Sequence, residues 1–200
     1  MKNIKWILCD VGGVVIKFAF INPEGYMIGT RHFDPKELEG VYSEKDYTHY
    51  MLGELSHEQF IGRYLKKHKL DLSVDEFNEA FIQDVTPNQG MKELFEKLEK
   101  KYKIALIPNE GKVLTKYRIE GSDLLPYLSK VIPSYLLREI KPSTQFFKKA
   151  LAIIDAKPDE CIFIDDTKAN CDAASSFGMK SIQFENVKQL EADLIKLQIL

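Results

Sequence analysis

The chain has 200 residues, of which 44% are hydrophobic and 29% are charged, and its formal net charge is −2. This length suits one large domain or a core domain with a small insertion. A small net charge with interspersed signs disfavours nucleic acid as a partner. No apolar run is long enough for a membrane span or a secretory leader, so we expect a soluble cytoplasmic protein without membrane contact.

Residues that often bind metal show no metal-binding pattern outside the carboxylates. Cys9, Cys161 and Cys171 lie in or beside apolar segments, so we expect small buried side chains in a reducing compartment rather than disulfides or zinc ligands. All four histidines fall between residues 32 and 68, and no two have the helical spacing of a metal pair.

The first predicted element is a short buried strand over residues 4–9, which is rich in strand-favouring apolar residues. The strand ends at Asp10, and Gly12 and Gly13 follow in a predicted tight turn. In open parallel α/β sheets, ligands bind at the carboxyl ends of the strands. Asp10 is therefore a candidate functional residue.

The segment after this turn predicts a hairpin. Apolar residues 14–20 and 26–28 flank the turn-forming residues 22–25. We expect this β-hairpin to overhang the loop that carries Asp10.

Residues 31–85 have helical spacing, and we predict no strand among them. Pro35 suits the first position of a helix. Ser56 and Ser73 each begin a capping-box sequence. The segment therefore predicts a small helical bundle inserted into the sheet domain.

The remainder of the chain alternates between short apolar runs and amphipathic runs, which predicts a parallel sheet with right-handed crossovers. Pro133 favours an edge position or a bulge for the third strand. The predicted strands cover residues 103–107, 131–137, 161–164 and 180–184, and the predicted helices cover residues 91–101, 144–154, 168–177 and 187–200.

We predict an α/β protein with a Rossmann-like parallel-sheet core and an inserted helical cap domain. The core is assigned to residues 1–16 and 87–200, and the hairpin flap and cap to residues 17–86. A turn-forming cluster at residues 86–90 marks the return of the chain to the core.

Polar residues follow the predicted strands, and the carboxyl ends of parallel strands share one edge of a sheet. Three carboxylates close together repel one another unless a cation is present, and a few hard oxygen ligands suit Mg²⁺. Lysine and asparagine side chains can bind phosphate oxygens, and an aspartate can attack phosphorus. The predicted chemistry is phosphoryl transfer to water, carried by Asp10, Asn109, Lys141, Asp165 and Asp166.

Four sequence blocks, in this order, resemble the haloacid dehalogenase (HAD) superfamily. The resemblance covers nearly all of the chain and is closest to the phosphatase-like branch with a helical C1 cap, similar to sugar phosphatases. The blocks are residues 9–15 around Asp10, residues 104–109 ending in Asn109, the Lys141-Pro142 pair, and residues 163–166 ending in Asp165 and Asp166.

The resemblance implies a Mg²⁺-dependent phosphatase that acts on a small phosphorylated metabolite through an aspartyl-phosphate at Asp10. We expect a monomer or weak homodimer. The implied catalytic residues are Asp10, Gly12 and Lys141, the metal ligands are Asp10, Gly12 through its carbonyl, Asp165 and Asp166, and the substrate-binding residues are Val11, Gly12, Asn109 and Lys141.

Two positions depart from the family pattern. Gly12 stands where relatives usually have a second aspartate that acts as general acid and base. Pro108 replaces a phosphate-binding hydroxyl and also lacks an N–H. Loss of a general acid–base group typically costs about two to four orders of magnitude in rate, so we predict weak turnover that is best on activated esters.

The sequence leaves two alternatives to a phosphatase. Dehalogenases of the superfamily also lack the second aspartate, but they usually do without Mg²⁺, and the pair Asp165 and Asp166 argues against that function. A non-catalytic protein that binds phosphate and metal at the same site is the other alternative, which Gly12 and Pro108 together favour.

Overall fold

The computed structural model describes residues 3–17, 24–83, 86–120 and 122–200. Five of the strands in these residues form one parallel sheet in the order β5-β4-β1-β6-β7, and the other two form an antiparallel pair. The architecture is the predicted α/β Rossmann-like fold. The strands are β1 (Trp6–Cys9), β2 (Tyr26–Ile28), β3 (Arg31–Phe33), β4 (Lys103–Leu106), β5 (Lys130–Val131), β6 (Cys161–Asp165) and β7 (Lys180–Gln183).

Helices connect the strands and cover both faces of the sheet. They are α1 (Pro35–Glu39), α2 (Lys45–Met51), α3 (His57–His68), α4 (Val74–Gln83), α5 (Met91–Leu98), α6 (Lys112–Glu120), α7 (Ser134–Leu137), α8 (Thr144–Ile154), α9 (Lys168–Ser176) and α10 (Val187–Lys196).

The central strand β1 contributes side chains to both faces of the sheet, because successive side chains of a strand point to opposite sides. Both sets of side chains are buried. Ile7 and Cys9 pack in one apolar layer with residues of α5 and α10. Trp6 and Leu8 pack in the other layer with residues of α8 and α9. Burial on both sides explains why β1 is a continuous apolar run, as is usual in parallel sheets.

Residues 24–83, called the helical segment below, contain the antiparallel pair β2 and β3 and the helices α1 to α4. Their apolar side chains form a separate cluster that also includes Leu114 of α6. Ser56 and Gln59 form the predicted capping box at the start of α3. The helical segment therefore has its own core and packs it against one helix of the sheet region.

Two strand predictions were wrong. β2 pairs with β3 across Gly29, which has a φ of +57°, so a strand exists where we predicted only helices; the polar residues Arg31 and His32 concealed it. The first half of the predicted hairpin lies partly in residues 18–23, outside the described residues.

The third strand of the main sheet is also shorter than predicted. Only Lys130–Val131 pairs with β4, and α7 occupies the end of the predicted strand, residues 134–137. Pro133 immediately precedes α7 and lacks the N–H that a longer strand would need. β5 does lie at the edge of the sheet, as this proline predicted.

The structure also tests the predicted burial of the cysteines and the predicted lack of a membrane span. Cys9, Cys161 and Cys171 are buried and unbridged, which confirms their prediction as small core side chains. Among the described residues, the helices are too short or too polar to cross a membrane.

Candidate active site

The carboxyl ends of β1 and β6 place acidic side chains next to one another. Cys9 lies opposite Ile164 in the register of these strands, and the N–H of Asp10 donates to the Ile164 carbonyl at 2.9 Å. One carboxylate oxygen from each of Asp10, Asp165 and Asp166 lies within 4.8 Å of the other two. The structure therefore brings the three predicted acidic residues into one cluster.

Lys141 supplies positive charge inside this cluster. Its Nζ donates to Asp10 Oδ1 at 2.8 Å and to Asp165 Oδ2 at 2.7 Å. The side chains of Lys141 and Asp165 are almost fully buried, whereas 14% of the Asp10 side chain is exposed. Burial opposes the charged ammonium group, but the two carboxylates raise the pKa of Lys141 above its usual value, so the lysine is cationic.

Asp165 is fixed by hydrogen bonds from the start of α9. Asn170 Nδ2 donates to both carboxylate oxygens, at 3.0 and 3.1 Å, and the main-chain N–H of Thr167 donates to Oδ1 at 2.9 Å. These contacts prevent free rotation of the Asp165 carboxylate. Asp165 can thus hold Lys141 in a defined position.

The cluster contains more negative than positive charge. Burial raises the pKa of Asp10, and the charge of Asp165 raises it further, although Lys141 acts in the opposite direction. Burial and Asp165 likewise raise the pKa of Asp166. A divalent cation bound by these oxygens would favour their ionised forms.

The loop after Asp10 is held by its own main chain. The N–H groups of Val15 and Ile16 donate to the Val11 carbonyl at 2.9 and 3.0 Å. Gly13 has a φ of +79°, a conformation that favours glycine. The Val11 side chain is fully buried in the core, so the predicted contact of Val11 with substrate would involve its main chain.

Asn109 joins the loop after β4 to the segment that carries Lys141. Its Nδ2 donates to the Lys141 carbonyl at 2.9 Å, and its Oδ1 accepts from the Lys141 N–H at 2.7 Å. The side chain therefore positions the lysine. A contact of Asn109 with phosphate, which the sequence predicted, would then come from its main-chain N–H.

A cavity of about 300 Å³ opens above the acidic cluster. Asp10, Gly12, Asn109, Lys141 and Asp166 contribute to its lining, together with seven other residues. The helical segment provides part of the opposite wall. The additional lining residues are Tyr42, Tyr47, Met51, Pro108, Arg118, Thr167 and Asn170.

A second buried ion pair lies at this wall. Arg118 Nη1 is 2.7 Å from Glu110 Oε1, and the side chains are 8% and 0% exposed. Burial raises the pKa of Glu110 to about 7, although Arg118 acts in the opposite direction. Burial opposes the charged form of Arg118, but Glu110 raises its pKa. Arg118 Nη2 also donates to the Tyr42 hydroxyl at 3.3 Å.

Tyr50 of α2 fastens the helical segment to the start of α6. Its hydroxyl accepts from the N–H groups of Val113 and Leu114, both at 3.2 Å. Its ring packs so closely on Gly111 that a Cβ there would lie 2.2–2.4 Å from ring atoms. The position of α6, and with it Arg118, is therefore coupled to the helical segment.

Sequence reasoning missed the side chains of this wall because no motif marks them. Tyr42 and Tyr47 resemble core aromatic residues in the sequence, and Arg118 lies on a helix with a weak apolar pattern. The available signal was Glu110, an acidic residue directly after Asn109 at a strand end. That signal does not identify Arg118 as its partner.

Comparison with known proteins agrees with this fold. The family model described as haloacid dehalogenase-like hydrolase matches residues 26–184. The structure thus defines an α/β protein with aspartates and a lysine at the carboxyl edge of its parallel sheet. The chain belongs to the haloacid dehalogenase-like hydrolase family. Asp10 lies before the matched residues, so its assignment depends on the sequence motif and the geometry above.

Two relatives are phosphatases or hydrolases by name. D-ribitol-5-phosphate phosphatase from Bacteroides thetaiotaomicron is 24% identical over 204 residues, which cover 92% of this chain and 93% of that protein. Flavin mononucleotide hydrolase 1 from Arabidopsis thaliana, described as a chloroplast protein, is 36% identical over 76 residues, which cover 38% of this chain and 31% of that protein.

Solved structures share the fold at low identity. A HAD family enzyme from Bacteroides thetaiotaomicron in complex with magnesium and inorganic phosphate has a TM-score of 0.71 and 19% identity, covering 94% of this chain and 99% of that chain. L-2-haloacid dehalogenase from Xanthobacter autotrophicus, with chloropropionic acid covalently bound, has a TM-score of 0.68 and 15% identity, covering 98% and 84%.

Proposed function

We propose that the protein is a Mg²⁺-dependent phosphatase that hydrolyses a small phosphorylated metabolite, with Asp10 as the nucleophile. The observation that carries this proposal is the bridge from Lys141 to Asp10 and Asp165, at 2.8 and 2.7 Å, beside Asp166 at the edge of a parallel sheet. The names of the phosphatase and hydrolase relatives support the same reaction class.

The donor set fits Mg²⁺. Asp10, Asp165 and Asp166 each offer a hard oxygen within 4.8 Å of the others, and the main-chain carbonyl of Gly12 is the fourth ligand we assign. Mg²⁺ prefers a few carboxylates together with water and substrate phosphate oxygens. When bound, the ion would neutralise charge on the phosphoryl group and on these carboxylates.

Asp10 has the position of a nucleophile because it is the acidic side chain that lies at the cavity and contacts Lys141 directly. Its free carboxylate oxygen would attack phosphorus, and the bond from phosphorus to the ester oxygen would break. Water would then hydrolyse the aspartyl-phosphate, releasing inorganic phosphate and restoring the carboxylate.

The neighbouring groups would stabilise the transferred phosphoryl group. Lys141 would donate to a phosphoryl oxygen while Asp165 keeps its ammonium group in place. Main-chain N–H groups of Val11, Gly12 and Asn109 are the further donors that we assign. Asp166 lies at the cavity, where it would contribute to metal binding.

Gly12 gives the proposed reaction a particular weakness. No carboxylate is present at this position to protonate the leaving oxygen, so the proton would come from solvent. Ester oxygens that leave readily without a proton are therefore the best substrates. Pro108 removes a hydroxyl donor at the cavity and lowers the rate further.

We assign residues 17–86 to a cap that covers this cavity, and residues 1–16 and 87–200 to the catalytic core. Tyr42, Tyr47 and Met51 of the helical segment line the cavity, which supports that division. A cap in this position would exclude water and select the leaving group.

A non-catalytic protein that binds phosphate and metal is the alternative that specific residues favour. Gly12 and Pro108 would both reduce turnover while leaving the contacts of Asp10 and Lys141 in place. A carbon–halogen hydrolase is disfavoured because Asp165 and Asp166 complete a cluster suited to a cation.

Purified protein should be assayed on a broad panel of phosphoesters with Mg²⁺ and with a chelator. We expect Mg²⁺-dependent release of phosphate that is fastest on activated esters and is lost in Asp10→Asn. Asp193→Asn is the matched control because Asp193 lies in a surface ion pair with Lys196. Full turnover by Asp10→Asn would mean that the nucleophile is misassigned, and inert wild-type protein that binds phosphate analogues would favour the alternative.

A further inference from the structure

Tyr50, His57 and Asn78, called the polar chain below, are joined by buried hydrogen bonds inside the helical segment. Tyr50 lies on α2, His57 begins α3 and Asn78 lies on α4. His57 Nε2 is 2.7 Å from Asn78 Oδ1, and His57 Nδ1 is 3.2 Å from the Tyr50 hydroxyl. His57 is 4% exposed and Asn78 is 7% exposed. The polar chain therefore links three helices away from solvent, and the proposed reaction makes no use of it.

The polar chain ends on the sheet region, at the start of α6. The Tyr50 hydroxyl accepts from the N–H groups of Val113 and Leu114. N–H groups in the first turn of a helix have no acceptor within that helix. Gly111, directly before α6, has no side chain that could accept from them. Tyr50 therefore caps α6 from a different part of the chain.

The position of the Tyr50 ring is fixed by packing. The ring stacks on Phe60 with 4.9 Å between centroids, and it lies against Gly111. Burial raises the pKa of Tyr50 well above its usual value, so its hydroxyl keeps its proton. The ring therefore presents a neutral hydroxyl to α6, and the direction of the O–H bond is what its neighbours determine.

The number of donors and acceptors in the polar chain requires a neutral histidine. A tyrosine hydroxyl has one hydrogen and two lone pairs. Both lone pairs of Tyr50 accept from α6, so its O–H donates to His57 Nδ1. Nδ1 can accept only without a proton, and the proton of the neutral ring is then on Nε2, which donates to Asn78 Oδ1. Each of these groups is thus used once.

A protonated His57 does not fit this arrangement. An imidazolium ring carries a proton on both nitrogens, so Nδ1–H would face a hydroxyl oxygen whose lone pairs are already in use. The Tyr50 O–H would also lose its acceptor. At least one hydrogen bond from α6 to Tyr50 would have to break before the hydroxyl could accept from the charged ring.

The surroundings of His57 favour the neutral ring. Burial lowers the pKa of His57, although Asn78 and Glu58 act in the opposite direction. An open groove beside the ring brings further titratable and charged side chains near it from the preceding loop, from α6 and from α7. The residues of that kind in its lining are Tyr50, Glu54, Glu58, Lys112 and Tyr135.

From this geometry we infer that His57 is a positioning residue whose neutral ring orients the Tyr50 hydroxyl and so holds the helical segment on the start of α6, and that protonation of His57 releases this connection. α2 carries Tyr47 and Met51, and α6 carries Arg118; all three line the cavity. The polar chain therefore sets how the two walls of the cavity meet. The inference goes beyond the proposed reaction and does not depend on it.

Amide hydrogen exchange measured by NMR tests the inference without an activity assay. The probes are the N–H groups of Val113 and Leu114, compared with those of β1 at the same pH. In wild-type protein we expect their relative protection to fall at least about threefold between pH 7.5 and pH 5.0, because protonation of His57 removes a hydrogen bond. Unchanged relative protection would overturn the inference.

Three variants separate His57 from other titrating groups. In His57→Asn, the side-chain oxygen can accept from Tyr50 and does not titrate, so protection at pH 7.5 should stay within about twofold of wild type and should not fall at pH 5.0. Tyr50→Phe removes the acceptor, so protection should be about fivefold lower at both pH values. His49→Gln, at an exposed histidine of the same segment, should behave as wild type.

Glu110 also titrates in this range, but it is present in every variant, so the difference between wild type and His57→Asn isolates His57. An equal fall in protection in wild type and His57→Asn would overturn the inference.

A measurement on the wild-type protein covers the case in which the variants fail to fold. The ring of His57, labelled with ¹⁵N and assigned through its contacts with Tyr50 and Asn78, should show Nε2 protonated and Nδ1 unprotonated at pH 7.5. A change of tautomer or a charged ring at that pH would contradict the donor count. Because neither measurement uses turnover, a failure of the proposed phosphatase function would leave this inference standing, and the reverse also holds.

Discussion

The two buried cations at the cavity, Lys141 and Arg118, are held in different ways. Lys141 lies between two carboxylates at strand ends, 2.8 Å from Asp10 and 2.7 Å from Asp165. Arg118 projects from α6 and pairs with the single carboxylate of Glu110 at 2.7 Å. The first arrangement needs an additional cation to become neutral, whereas in the second a single ionised carboxylate balances a single cation. The acidic cluster is therefore the part of the cavity where a bound cation would be needed.

Among the variants considered, replacing Lys141 should cause the largest loss of activity. Lys141→Met would leave the fully buried Asp165 without its cation, and loss of a transition-state charge donor costs about 10²–10³ in kcat. We expect a rate loss near the upper end of that range, together with lower stability that added Mg²⁺ restores in part, measured by turnover and thermal unfolding.

Lys97→Met is the control for this change because Lys97 forms a surface ion pair with Glu191. Surface pairs contribute about 0–1 kcal/mol, so this variant should resemble wild-type protein. Wild-type turnover by Lys141→Met would contradict the role assigned to Lys141.

The titration of Glu110 should be visible in the stability of the protein. Its pKa is about 7 in the folded protein against 4.5 for an ordinary glutamate, so the folded state binds the proton more tightly. The free energy of unfolding should therefore fall as pH rises from 4.5 to 7, with a contribution from Glu110 of about 3 kcal/mol at 1.4 kcal/mol per pKa unit.

Urea unfolding at several pH values measures this contribution in wild-type protein and Glu110→Gln. The variant lacks the titrating group, so its profile should be flatter across that window, while contributions from Asp10 and Asp166 remain in both. Parallel profiles would show that Glu110 does not titrate there.

The connection between the helical segment and α6 can be loosened at Gly111. Gly111→Ala would place a Cβ 2.2–2.4 Å from the ring of Tyr50, and overpacking of this kind typically costs about 1–3 kcal/mol. Gly62→Ala is the matched control because its Cβ would meet no atom within 4 Å, and on a helix it should stabilise by up to about 1 kcal/mol. Equal unfolding free energies for the two variants would argue against the Tyr50 contact.

The smallest effect is expected at Pro108, which lines the cavity. Pro108→Ser restores a hydroxyl and an N–H at the cavity lining, so kcat should rise by up to about tenfold if the missing donor limits the rate. Pro158→Ser, in a turn far along the chain at residues 158–160, is the control. No gain in Pro108→Ser would mean that neighbouring groups already compensate.

The sequence predicted the sheet and its edge because both follow from local rules. Asp10 and Asp165 each end an apolar run, and parallel strands bring such ends together. The helix at Thr144–Ile154 was predicted with its observed bounds, since Ser143 caps it and its apolar spacing is regular. These features require no knowledge of how distant helices pack.

The opposite wall could not be predicted because it depends on tertiary packing. Tyr42 and Arg118 come close together only when the helical segment packs on α6 through Tyr50 and Leu114. Neither Tyr42 nor Arg118 belongs to a sequence motif with a recognisable spacing. The strand Arg31–Phe33 was missed for a different reason, since two of its three residues are polar and the segment shows no apolar run.

Covalent participation of Asp10 is the central step of the proposed reaction. Because Gly12 offers no base to activate water, a phosphoryl group on Asp10 should be hydrolysed slowly and should accumulate during turnover. Rapid acid quenching followed by peptide mass spectrometry should then find the phosphoryl adduct on Asp10 when Mg²⁺ and an activated ester are present, and no adduct in Asp10→Asn. Turnover without an adduct on Asp10, or with the adduct on another residue, would contradict the mechanism.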